Sequence, residues 1–248
     1  MLKKSHISPI RMHNQEWNYK EEWKQARLGK FTSSKMHYLT YPTGFTDGSI
    51  KYIREKVGEH LTGKSADREI DTDATRWGLL HEEWLLQKFG RKMGLKFLVV
   101  QQLITDPDSH FGSTPDALIL LRESPDGTEY EVEPVEGKCP PTYDAYIGLF
   151  ECDTPQQLKK ENRIYYWQVI DQMHQCGATT GHFVTGHPDF RAGNYHYITF
   201  EHNQPVVDEK GKKTFPIFDD LKLLGERKRQ ALLKFDQIRS KLMAVKAI

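Results

Sequence analysis

The sequence predicts one α/β domain with a mixed central sheet flanked by helices, and three observations carry that prediction. Helical-period and strand-like segments alternate along all 248 residues, with no internal repeat, low-complexity tract or linker between them. Two of the strand-like segments are joined by Ser124-Pro125-Asp126-Gly127, a turn signal that makes them an antiparallel hairpin. Hydrophobic residues make up 38%, and 5 Trp, 11 Tyr and 12 Phe are too many for a disordered chain. At this length about three-quarters of the unfolded surface is buried on folding, so no disulfide or metal staple is needed.

Residues 14–28 read as a first helix, with Asn14 as N-cap and Gly29 as its stop. A second covers 49–62, where Ile50, Ile53, Val57 and Leu61 recur at helical spacing between Ser49 and Gly63. A third covers about 73–90, with Trp77, His81, Trp84, Leu85 and Phe89 in one stripe. Segments 95–104, 116–121 and 128–139 then read as strands. One long helix is expected over about 155–176, opened by Thr154 and Pro155 and ended by Gly177. Strands at 182–187 and 195–200 follow. A basic amphipathic helix from about 220 closes the chain, its apolar side carrying Leu221, Leu224, Leu232, Phe235, Ile238 and Leu242.

Several function classes drop out on composition. Cys139, Cys152 and Cys176 form no C-x-x-C pair, which disfavours a zinc ribbon, a redox motif and a disulfide framework. Three cysteines also cannot build a four-cysteine iron–sulfur cluster. No apolar run approaches the ~18 residues of a membrane span, and the opening MLKKSHISPI has no apolar core of a signal peptide. A cytoplasmic protein with no membrane association is expected. Net charge is +1, but its distribution is uneven. Residues 1–64 carry 12 Lys/Arg against 6 Asp/Glu, and 221–248 carry 8 against 2, while the middle is acidic. Basic ends around an acidic centre suit a polyanion held over a cation-binding carboxylate site; solvated helix faces would give the same pattern.

Gly58-Glu-His-Leu-Thr-Gly63-Lys64-Ser65 matches the phosphate-loop pattern letter for letter. That loop works when a strand delivers it and a helix starts behind it, so that amides meet the phosphates. Here a helix-period segment comes first, and a helix C-terminus capped by Gly63 is the simpler reading. Nucleotide binding through residues 58–65 stays as an alternative.

The chemistry concentrates elsewhere. A turn centred between Pro125 and Asp126 places Asp116 opposite Val135 or, one residue on, Glu136, so two carboxylates lie side by side. Lys138 shares a strand face with Glu136. Clustered carboxylates repel and one stays protonated unless a cation compensates, and Mg²⁺ suits hard oxygen ligands of this kind. Such a set is the equipment of metal-dependent phosphodiester hydrolysis. Singly, a Pro-Asp pair is turn chemistry and an E-x-K is a surface pair; the hairpin register joins them. Glu82 lies on an otherwise apolar and aromatic helix, with Glu83 as the ambiguity. Gln168 and Gln172 stand at i and i+4 and share a helix face, from which an amide can donate to a phosphate or a water.

G-x-x-x-E, then T-P-D, then E-G-K-C-P, then Y-W-Q-V-x-x-x-M resembles the lambda-exonuclease-like, or YqaJ-type viral recombinase (alkaline exonuclease), branch of the PD-(D/E)XK nucleases. The opening Trp23-x-x-x-Arg27-Leu-Gly-Lys-Phe-Thr-Ser-Ser34 looks like the start of that family's pattern, and the match spans about residues 23–185. The resemblance implies a restriction-endonuclease-like core and a Mg²⁺-dependent 5′-to-3′ exonuclease on linear double-stranded DNA, with Mn²⁺ substituting. It implies that Asp116, Glu136 and the Gly137 carbonyl bind metal, that Glu82 supports the metal site, that Lys138 positions the attacking water, and that Gln168 sits at the active centre. Arg27 and Ser34 match residues that hold the 5′-phosphate of DNA. It also implies ring trimers, a single-strand annealing protein as partner, and a phage or prophage recombination system. On this reading residues 1–64 are the helical, 5′-phosphate-contacting part, 65–200 the catalytic core and 201–248 a basic helical extension. One departure stands out: the family places a further phosphate-binding arginine six residues after the lysine, and here that position is Asp144. Lys30 or Lys35 could substitute. Within the fold, an endonuclease or a RecB-like nuclease is the alternative; outside it, a DNA-end-binding module without catalysis.

Overall fold

The hairpin is the centre of the molecule. The computed structural model describes residues 1–11, 17–66, 72–94, 97–100, 102–105, 109–207 and 209–245. The N-terminal part comprises β1 (Leu2–Lys3), β2 (Ile7–Arg11), α1 (Trp17–Arg27), β3 (Phe31–Thr32), a 3-10 turn (Ser33–Tyr38), α2 (Asp47–Thr62) and α3 (Asp73–Met93). Strands β4 (Phe97–Val100), β5 (Gln102–Ile104), β6 (Phe111–Gly112), β7 (Ala117–Glu123) and β8 (Glu129–Lys138) follow. Helices α4 (Tyr143–Phe150), α5 (Pro155–Glu161) and α6 (Arg163–Cys176) lead to β9 (Thr180–Gly186) and β10 (Tyr195–Glu201). The chain ends with β11 (Val206–Val207), β12 (Lys213–Thr214) and α7 (Pro216–Met243).

The main sheet runs β10-β9-β8-β7-β4, with β1 also paired to β8. All of its pairs are antiparallel except β8 with β9, so the sheet is mixed as expected. Gly127 turns the hairpin with φ +70°, and Asp126 accepts the Thr128 N–H at 3.1 Å. A register shift between Leu120 and Arg122 then brings Ala117 opposite Val135. Asp116, one residue earlier, therefore comes level with Glu136, the second of the two registers left open by the sequence.

Neighbouring residues of β9 point to opposite faces, and the core divides accordingly. Phe183 belongs to the larger cluster, with Phe31, Tyr52, Trp167, Leu224 and Phe235 from the α2, α6 and α7 side. Val184 belongs to a second cluster with Leu85, Leu86 and Phe89 of α3. Glu136 pairs with Phe183, so it faces α6, while Gly137 faces α3. A β-carbon at Gly137 would lie 3.6 Å from both Leu85 and Leu86.

Several boundaries differ from the sequence reading. The N-cap of α2 is Thr46, and Ser49 is its N3 partner in a capping box. Asn14 lies outside the described residues. Segment 95–104 splits: β4 pairs with β7, whereas β5 pairs with β2 in a separate two-stranded sheet. The expected helix 155–176 is broken at Asn162, whose φ −139° and ψ 87° end α5. The Asn162 side chain then accepts the Tyr165 N–H at 3.1 Å and starts α6. Helix α4 was not foreseen; Thr142 caps it, and Tyr146 and Leu149 bury one face. In α7, Leu224 and Phe235 are buried, but Leu242 is 54% exposed.

The phosphate-loop reading is overturned by the same elements. Gly58 lies inside α2, and Gly63 closes that helix with φ +65°. The Glu59 carboxylate accepts the backbone N–H groups of Gly29 and Ala66, both at 3.0 Å. A carboxylate thus takes up amides at the place where a phosphate loop would need them for its ligand.

Candidate active site

A cleft of about 160 Å³ opens beside the β7–β8 hairpin, and it gathers Arg27, Ser34, Glu82, Asp116, Glu136, Lys138 and Gln168 along one wall or another. Five stretches of chain supply them: α1, the Ser33–Tyr38 turn, α3, the hairpin and α6. Trp23, Thr32, Ser33 and Thr114 complete the lining. The parallel pairing of β3 with β6 sets Phe31 beside Phe111, which delivers the turn next to Thr114. A contact across about eighty residues leaves no local signal that would single out Thr32 and Ser33, which stand in the opening Trp23–Ser34 motif without a role of their own. Trp23 and Thr114 had been noticed only within larger motifs.

The hairpin atoms meet closely. Asp116 Oδ2 accepts the Gly137 N–H at 2.8 Å. Lys138 Nζ bonds to Glu136 Oε1, lies 3.0 Å from the Gly137 carbonyl and 3.6 Å from Asp116 Oδ2. From α6, Gln168 donates to Glu136 Oε1 at 2.5 Å and Gln172 donates to Glu136 Oε2. Spacing i, i+4 puts both amides on the helix face turned to the sheet. Glu82 lines the cleft, whereas Glu83 is exposed and accepts from Gln87 at 3.0 Å. Arg27 stacks on Trp23, with 4.0 Å from its guanidinium carbon to the ring centroid.

These groups perturb one another strongly. Burial pushes Glu136 up to about 7, reinforced by the charge of Asp116. Asp116 is raised too, through burial, against the pull of Lys138. Burial works against the Lys138 ammonium, yet Glu136 and Asp116 outweigh it and hold the lysine above its ordinary value. Two carboxylates, Glu136 fully buried and Asp116 partly so, are both disfavoured as anions and form a donor set that a divalent cation would relieve. The Gly137 carbonyl adds a neutral oxygen on the same side. The residues present therefore fit such an ion, with Glu82 near enough to influence Lys138. Among the described residues no group of three or more His, Cys, Asp or Glu side chains gathers round one ion position.

The position of the missing arginine is occupied as the sequence showed: Asp144 is exposed in the first turn of α4. Lys30 donates to the Ser109 carbonyl at 2.7 Å, and neither Lys30 nor Lys35 lines the cleft. The cations nearest in kind are Lys24, Lys56 and Lys64. They line a larger cleft of about 600 Å³ that shares Trp23, Arg27 and Thr32 with the first. Among the described residues, no helix is long and apolar enough to cross a membrane.

Solved structures share this fold. An alkaline exonuclease (LHK-Exo) from Laribacter hongkongensis superposes with a TM-score of 0.63 at 21% identity, over 91% of this chain and all of that one. The same exonuclease in complex with dAMP gives 0.63 at 20% identity, over the same shares of each chain. A phage related exonuclease from Haemophilus somnus 129PT gives 0.58 at 14% identity, over 86% of this chain and 96% of that one. The PD-(D/E)XK-type core expected from the motifs is thus the fold found. No curated protein matches the chain. Residues 22–182 match the model of the YqaJ-like viral recombinase domain, and the chain belongs to that family.

Proposed function

We propose that the protein is a Mg²⁺-dependent exonuclease that degrades linear double-stranded DNA from its 5′ ends and leaves 3′ single strands for phage-type recombination. The observation that supports this most directly is the convergence of Asp116, Glu136 and Lys138 with Glu82, Gln168, Arg27 and Ser34 in one cleft. A relative of the same fold was solved with dAMP, a deoxynucleoside monophosphate of the kind that stepwise DNA hydrolysis releases.

In this reading Asp116, Glu136 and the Gly137 carbonyl hold Mg²⁺, or Mn²⁺ in its place, with Glu82 in support. Such an ion supplies activation of water and stabilisation of the leaving oxygen. Lys138 stays charged, points into the cleft and orients the attacking water toward the scissile phosphate. Gln168 and Gln172 fix both oxygens of Glu136, so that its carboxylate keeps one orientation. Arg27, stiffened by Trp23, and Ser34 receive the terminal phosphate. A ring of three subunits and a single-strand annealing partner complete the proposal, both on family resemblance.

The experiment is digestion of a linear duplex in Mg²⁺ without ATP. Ends with 5′-phosphate and 5′-hydroxyl are compared with a closed circle, and Lys138→Ala runs alongside. Loss of linear but not circular DNA, dependent on Lys138, is the expected result. Equal cutting of circles would replace the exonuclease by an endonuclease. Absence of cutting with any divalent ion would leave a DNA-end-binding module.

A further inference from the structure

Behind the cleft lies a buried ion pair that the proposed chemistry does not use. Asp171 of α6 is 0% exposed and Lys228 of α7 is 5% exposed. Lys228 Nζ lies 2.5 Å from Asp171 Oδ1, and the Ser33 hydroxyl donates to Asp171 Oδ2 at 2.6 Å. Lys228 Nζ also lies 3.3 Å from His174 Nδ1. Burial, then the charge of Lys228, hold His174 down at about 4, so its imidazole is neutral and can accept from the ammonium.

We propose that Asp171 is a positioning residue: through Ser33 it fixes the Ser33–Tyr38 turn, and so Ser34, against the cleft, while Lys228 pairs with its other carboxylate oxygen. The proposal rests on the exonuclease reading above. Helix α6 is already anchored by Trp167, Ile170 and Met173 in the core, and by its two amides on Glu136. The turn is anchored in the same core through Met36, while Ser34 at its cleft end is exposed. The turn is fed by a two-residue strand, and its flanks are held by the Thr32 N–H on the Tyr52 hydroxyl at 2.9 Å and by Arg163 on the His37 carbonyl at 2.6 Å. Ser33 is the side-chain tie next to Ser34. A buried ion pair adds little net stability compared with an apolar pair of the same size, so placing one here gains geometry rather than stability. The carboxylate can take the serine hydroxyl in one orientation only while its other oxygen is held by the lysine.

The test compares wild type with Ser33→Ala, and with the double substitution Asp171→Asn and Lys228→Met, which removes both charges together. Steady-state digestion of a 5′-phosphorylated duplex is measured, and amide exchange is followed by mass spectrometry. Ser33→Ala should raise KM for duplex ends at least fivefold and leave kcat within twofold. Exchange of the 28–42 segment should quicken at least fivefold, with the 163–176 segment unchanged. The double variant should do the same. Unchanged KM and unchanged exchange in 28–42 would overturn the proposal. So would a joint change of KM, kcat and exchange in every segment, which marks general loosening. If the wild type fails to cut DNA, the exonuclease reading falls, while the exchange contrast still decides whether Asp171 holds the turn.

Discussion

Proton and divalent ion should compete for Glu136, and the size of that competition follows from its burial. Its carboxyl is raised from an ordinary 4.5 to about 7 by burial and by the charge of Asp116. At about 1.4 kcal/mol per pH unit, ionising it in the folded protein costs about 3 kcal/mol more than in the unfolded chain. Because the folded value is the higher one, the folded protein binds the extra proton between about pH 4.5 and 7. Its stability from this group is therefore full at the acid end and lost as pH rises to about 7. A cation coordinated by the carboxylate needs that proton gone. Affinity for Mn²⁺ should thus climb about tenfold per pH unit below about 7 and level off above. Calorimetric titration in two buffers of different ionisation enthalpy measures both affinity and protons released. About one proton should leave per ion near pH 5.5 and almost none near pH 8.5, with Asp116, raised in the same sense, adding to the acid-side release. Glu136→Gln should abolish the pH dependence and most of the affinity. Mn²⁺ affinity that is flat between about pH 5.5 and 7.5 would refute the reasoning.

Three further outcomes follow from single contacts. Lys138→Ala should keep DNA affinity within about threefold while lowering turnover by roughly 10² to 10⁴, which filter binding and single-turnover digestion separate. Gln172→Leu leaves a buried oxygen of Glu136 without its donor, so urea unfolding should show a loss of about 1–3 kcal/mol. It should also move the pH midpoint of Mn²⁺ binding upward, because the ionised form loses a hydrogen bond. Gly186→Ala would put a β-carbon 2.5 Å from Leu85 Cδ1 and 3.1 Å from the Asn194 carbonyl, where α3 crosses β9. About 1–3 kcal/mol of destabilisation is expected, a fall of several degrees in Tm by calorimetry.

What the sequence disclosed depended on how local the signal was. The β7–β8 hairpin was legible because its turn chemistry and strand lengths fix the register to within one residue. That narrow choice was enough to bring Asp116 and Glu136 together. The i, i+4 spacing of Gln168 and Gln172 was equally local, and both amides reach Glu136. The helical pattern alone did not separate Glu82 from Glu83, adjacent residues at the edge of one stripe, and only the resemblance singled out Glu82; in the structure Glu82 lines the cleft and Glu83 is exposed. The break at Asn162 had a signal in a good N-cap residue, but continuous apolar periodicity across it hid the cap. Helix α4 was hidden by brevity: eight residues after Pro140-Pro141, with Gly148 inside, carry little helical pattern. The Ser33–Asp171–Lys228 set joins residues 138 and 57 positions apart, and no pattern in the chain announces it.

The charge pattern itself divides once the fold is known. Both termini carry the same excess of positive charge, and both would be assigned to DNA phosphates on composition alone. At the C-terminal end, two adjacent cations of α7 turn inward. Arg227 donates to the Tyr41 and Pro42 carbonyls, and Lys228 pairs with Asp171. Together with Arg163 on His37, they grip residues 33–42 from the side of α6 and α7. At the N-terminal end, Lys24, Arg27, Lys56 and Lys64 line a cleft that runs into the carboxylate site. Glu21 and Glu59 are the acidic residues of that lining, so its charges favour an anion. On the exonuclease reading, the two ends thus divide the work: the first sixty-odd residues supply the field that draws phosphate toward Asp116 and Glu136, and α7 supplies the rigidity that keeps Ser34 in place when it arrives.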